Sequence, residues 1–76
     1  MTHLQEKLNE LRADLVEMAN LVARQLEKSV HALLDSDEDL ANEVIFNEKR
    51  VNAFELKIDN DCEQIFTLLA PFAQDM

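Results

Sequence analysis

The chain has 76 residues, with 16 acidic side chains against 7 basic ones and a formal charge of −9. That length allows one domain at most, and a core too small to stand without a staple, a metal or a partner. Nucleic acid and anionic lipid are poor targets because both need clustered Lys and Arg, whereas the basic residues here are scattered; cations or a basic partner surface fit the charge better.

Thr2 opens the first predicted helix, with Gln5 placed to complete a Thr-x-x-Gln capping box. Apolar residues then recur at Leu4, Leu8, Leu11, Leu15, Met18, Val22, Leu26, Val30 and Leu33. Steps of three and four mark one buried stripe on a helix over residues 2–34. A narrower stripe of Ala13, Val16, Ala19 and Ala23 runs beside it, small enough for a second neighbour to approach closely.

The segment Asp35-Ser36-Asp37-Glu38-Asp39 interrupts the pattern. Ser36 or Asp37 is a suitable cap for a second helix, and acidic residues in its first turn favour the positive end of its dipole. So short a break predicts an antiparallel helical hairpin with arms about 45–50 Å long. The second helix is expected over 37–69, with a main stripe at Leu40, Val44, Val51, Phe54, Ile58, Cys62, Ile65 and Leu69, broken at Asn47. Pro71 is expected to end it and to begin a third helix over 71–76. Residues 1–76 therefore read as a single partial all-α domain. Its apolar second stripes predict completion of a bundle, either by downstream helices or by dimerisation as an antiparallel four-helix bundle.

The second helix carries the one pattern that points to a ligand. Glu48, Asn52, Glu55 and Asp59 fall within an arc of about 60° on a helical projection. That stripe is apolar before them, at Ala41 and Ile45, and apolar after them, at Cys62, Phe66 and Leu69. Three carboxylates and an amide are hard oxygen donors, suited to magnesium, calcium, manganese or iron. Glu55 and Asp59, at i and i+4, can reach one ion, but a single helix leaves the coordination sphere incomplete. The competing reading is an ordinary solvated face that binds nothing.

Other chemistries find little support. His3 and His31 are roughly 40 Å apart along one helix, and His31 suits the negative end of the helix dipole. No Glu-x-x-His pair is present, as a ferritin-like metalloenzyme would need. The chain contains no glycine, which excludes a glycine-rich phosphate loop. Cys62 lies on an apolar face and reads as a small hydrophobe; Phe46, Phe54, Phe66 and Phe72 read as core or interface aromatics. One cysteine allows no internal disulfide and suits a reducing cytosol. No bilayer-length apolar run or signal-peptide pattern is present, so a cytoplasmic, non-enzymatic protein is expected.

Several segments together resemble the opening helices of a PhoU domain, the helical module of bacterial phosphate-signalling regulators. They are Met18, Val22, Gln25-Leu26 and Ala32-Leu33; Asp37-x-Asp39-Leu40-Ala41; Val44-Ile45; Val51-Asn52; Glu55-x-x-x-Asp59 with Cys62; and Pro71-x-Ala73-x-Asp75. The resemblance implies a three-helix bundle that often dimerises. It also implies a site for divalent or trivalent metal (iron, manganese, magnesium or zinc) on Glu55 and Asp59, with Glu48 and Asp75 as further ligands. Its expected partners are a phosphate ABC transporter and a sensor histidine kinase, in regulation of phosphate uptake and the starvation response. The alternative is a structural hairpin that mediates dimerisation or protein contact without a ligand.

Overall fold

The computed structural model describes residues 2–74, with side chains described to residue 71. Two helices account for nearly all of it: α1 (His3–Asp35) and α2 (Glu38–Gln74). The capping box forms as the sequence requires. The Gln5 N–H donates to Thr2 Oγ1 at 3.1 Å, and the Thr2 N–H donates to Gln5 Oε1 at 3.0 Å.

The reversal between the helices takes only Ser36 and Asp37. Ser36 adopts a left-handed backbone (φ 52°, ψ 41°), and the N–H groups of Ser36 and Asp37 both return to the Ala32 carbonyl. A chain without glycine has to place another residue in this conformation, at a steric cost of about 1–2 kcal/mol. Asp37 then caps α2, its Oδ1 accepting the Leu40 N–H at 3.0 Å. The result is the expected antiparallel hairpin, 57 × 19 × 18 Å in extent.

The residues that meet between the helices follow a strict three-four alternation. On α1 the seam comprises Leu4, Lys7, Leu11, Asp14, Met18, Leu21, Gln25, Lys28 and Ala32. On α2 it comprises Leu40, Val44, Asn47, Val51, Phe54, Ile58, Asp61, Ile65 and Leu68. Leu21, Ala32 and Ile65 are its driest apolar members, yet Asp61 (3% exposed) and Gln25 (7%) are buried as deeply. The Gln25 amide is satisfied by donating from Nε2 to the Val44 carbonyl at 2.9 Å.

This seam differs from the apolar stripes expected of the sequence. Leu8, Leu15, Val22, Leu26, Val30 and Leu33 are exposed, as are Ala13, Val16, Ala19 and Ala23 beside them. On α2 the seam passes through Asp61 and Leu68 instead of Cys62 and Leu69, which lie one position further round. The physical reason is width. A two-helix contact covers a narrow 3.5-residue seam, whereas the apolar arc of α1 is broad enough for two neighbours. Among the described residues one neighbour is present, and it takes the more polar edge of that arc.

The expected break at Pro71 is also shifted. α2 continues through Pro71 to Gln74, so the end foreseen at 69 and the third helix foreseen from 71 are replaced by one continuous helix over the described residues. Proline there forfeits one i→i−4 hydrogen bond, a loss confined to the last turn of α2.

Replacing Gln25 tests how the seam is specified. Gln25→Ala leaves a void and removes the donor to Val44, and should lower stability by about 1–3 kcal/mol in urea unfolding. Gln25→Leu should be neutral or stabilising, with broader amide resonances as register becomes less well defined.

Candidate functional site

Glu48 and Glu55 each follow a seam residue of α2 by one position, as do Asn52 and Asp59. All four therefore point about 100° away from the seam, and all are exposed. The register is fixed by Gln25 beside Val44 and by Lys57 beside Asp14, which sets this acidic stretch alongside Leu15 and Val22 of α1. Toward the turn the same side of the hairpin is a shallow apolar groove lined by Ser29, Leu33, Ala41 and Ile45. Toward the open end it is bordered by half-buried Cys62 and by exposed Phe66. Among the described residues, the α1 side chains that this register sets alongside Glu48 and Glu55 are the apolar Val22 and Leu15, which carry no oxygen donor. Asp75, the fourth expected ligand, lies outside the described residues.

A different set of carboxylates does come together within the hairpin. Carboxylate oxygens of Glu10, Asp14 and Asp61 all lie within 4.8 Å of one another. Their centre is filled by the chain's own cation. Lys57 Nζ is 3.1 Å from Glu10 Oε1 and 3.5 Å from Asp61 Oδ2, and it donates to Asp14 Oδ2 as well. Lys7 supports the rim at 3.6 Å from Glu10. The donor set would suit a divalent ion by its chemistry, but an ammonium already occupies that position in the network.

The charges within this cluster are unequal. The hydrogen bond from Lys57 holds the Asp14 carboxyl below its ordinary value, and the Lys57 hydrogen bond and charge do the same for Glu10. Asp61 is pushed up, first by its hydrogen bond with Asp14 and then by burial. Hydrogen bonds to Asp14 and Glu10 hold the Lys57 ammonium well above the usual lysine range. The apolar-stripe pattern hid this cluster. The available signal was the spacing Phe54, Ile58, Asp61, Ile65, which continues the seam's alternation through an aspartate.

The remaining candidates are simpler. His3 lies 4.0 Å from Glu6 as an i,i+3 pair, and His31 is exposed. No helix among the described residues is long and apolar enough to cross a membrane.

Comparison with known proteins adds what the geometry lacks. The PhoU domain family model matches residues 15–76. The chain is 34% identical over 70 residues to the phosphate-specific transport system accessory protein PhoU homolog of Pseudomonas aeruginosa, and equally to the accessory protein PhoU of Escherichia coli. A Burkholderia homolog is 35% identical over 69 residues. These alignments cover 91–92% of this chain but only 29% of each relative, so the chain spans under a third of their length. No solved structure matched the chain.

The Lys57 cluster predicts a two-sided pH dependence. The raised Asp61 contributes stability that is complete below the ordinary carboxylate range and is lost as pH rises through its raised value. The depressed Asp14 and Glu10 contribute stability present above that range and lost as pH falls through their lowered values. Melting temperature should therefore peak in mildly acidic solution, and Asp61→Asn should flatten the upper limb while leaving the acid limb. Lys57→Gln should lower the melting temperature at neutral pH and make it rise with added magnesium or manganese, a response the unmodified chain should lack at this cluster. Both outcomes are read from circular-dichroism melts.

Proposed function

The chain belongs to the PhoU domain family, and on that premise we propose a non-enzymatic regulator or adaptor in phosphate uptake and phosphate-starvation signalling, acting in the cytoplasm. The observation that carries this reading is the family match across residues 15–76, together with the transport-accessory role named for the relatives. The fold is consistent with such a role, because its largest asset is an uncovered face suited to contact. The partners proposed are a phosphate ABC transporter, a sensor histidine kinase and a second copy of the chain.

On that open face, Glu48, Glu55 and Asp59 are proposed to hold a divalent or trivalent metal, with Asp75 as a further ligand. Iron, manganese and magnesium suit the oxygen donors best; zinc is a weaker match. The site is open on one helix, so its remaining donors come from water and from the body that covers the face. In a dimer packed through this side, Leu15, Val22 and Phe66 would be buried and the two acidic stretches would lie near each other. A cation would then offset their repulsion, linking metal binding to assembly.

A second reading is favoured by the register of the hairpin, which sets the apolar Leu15 and Val22 of α1 alongside Glu55 and Glu48. It treats the hairpin as a structural element that dimerises or docks without a ligand.

Isothermal titration with manganese, ferrous iron and zinc separates the two readings. The metal reading expects saturable heat for the unmodified chain and none for Glu55→Ala/Asp59→Ala. Equal heats for both proteins would sink it. The structural reading expects that double variant to melt at the same temperature or slightly higher, through relieved repulsion.

A further inference from the structure

Among the described residues, five of the seven most exposed large apolar side chains lie toward one end of the hairpin, the other two being Leu56 and Phe66 further along α2. Leu33 is 82% exposed, Leu34 77%, Ile45 68% and Phe46 67%, and Leu26 is similarly bare at 65%. All lie within about 15 Å of the Ser36–Asp37 reversal at the helical rise. They are not confined to one side. Leu33 and Ile45 share the groove on the Glu48–Asp59 side. Leu34 and Phe46 each sit one position further round their helices, which carries them about 100° away from that groove, onto the outer faces of α1 and α2.

The tip is also strongly acidic. Residues 29–46 contain Asp35, Asp37, Glu38, Asp39 and Glu43 but no lysine or arginine. Glu43 is paired with Lys28 at 2.9 Å, whereas the four acids of the reversal make no ion pair among the described residues. A second cation, Lys49, stands with its Nζ 5.5 Å over the Phe46 ring.

We propose that the turn end of the hairpin is a docking plug, seated in an apolar cleft with a basic floor on a partner protein. A helix laid along one side would cover Leu33 and Ile45 but leave Leu34 and Phe46 in water, so the occupant has to embrace the outer faces as well. Its floor has to be basic because the crown it meets carries Asp35, Asp37, Glu38 and Asp39. The same crown opposes tip-to-tip pairing of two copies. This plug is separate from the proposed metal-binding stretch, and its test does not depend on metal.

The test titrates the ¹⁵N-labelled chain with a leucine–lysine amphipathic peptide, a probe that combines the two chemistries required. Shift changes should concentrate on residues 26–46, on both the Leu33 and the Leu34 side, and should vanish in 0.5 M salt (an electrostatic contact). Affinity should fall at least tenfold in Leu34→Ser/Phe46→Ser. It should fall similarly in Asp35→Asn/Asp37→Asn/Glu38→Gln/Asp39→Asn, which keeps an amide capable of capping α2. Helicity of each variant is checked by circular dichroism, and Glu48→Gln/Glu55→Gln/Asp59→Asn should bind as the unmodified chain does. Shifts centred on 48–59, an even spread along the hairpin, or unchanged affinity in the crown variant would overturn the proposal. So would concentration-dependent doubling of mass that Phe46→Ser abolishes, since that result assigns the tip to a second copy.

Discussion

The interaction on which this structure turns is a polar one at the seam between two helices, reaching from exposed Lys57 and Glu10 to buried Asp61. Lys57 reaches across the seam to Glu10 and Asp14 while holding Asp61 on its own helix. About 16 Å further along α1, the Gln25 amide donates to the Val44 carbonyl. Apolar contacts alone tolerate sliding by a turn, because one leucine layer resembles the next. A set of three carboxylates from two helices that converges on one ammonium is satisfied in a single register. Two such layers fix both the rotation and the stagger of the helices.

That rotation determines what is left outside. With the seam running through Asp14 and Gln25, much of the apolar stripe of α1 turns away from it, while α2 keeps most of its own stripe inside. Leu8, Leu15 and Val22 therefore line the same side of the hairpin as Glu48, Glu55 and Asp59. A hairpin of this size gains little from its own core, since among the described residues only Leu21, Ala32 and Ile65 are buried apolar ones. The remaining apolar surface faces outward.

Much of the architecture was legible from local chemistry. The Thr2–Gln5 capping box, the Asp37 cap and the acidic interruption before Leu40 specified two helices and a tight reversal, and each formed in place. Local rules read less well where the neighbour count mattered. The stripe through Leu8, Leu15 and Leu33 is a true property of α1, but periodicity gives no information about which part of a broad arc faces the one helix present. The acidic stretch at Glu48–Asp59 was visible as a break in an apolar pattern. The Glu10–Asp14–Asp61 cluster was not, because its members are 47 or more residues apart apart from the first two, and Asp61 looked like a polar residue beside Cys62.

By itself, the sequence determined the hairpin, its capped ends, its family and the position of its acidic face, because these follow from periodicity, turn chemistry and motif spacing along the chain. Only the tertiary structure decided which carboxylates converge, which face stays open and how deeply Asp61 and Gln25 are buried. Those features depend on the rotation of one helix against the other, a variable that the spacing of apolar residues leaves free and that the Lys57 network sets.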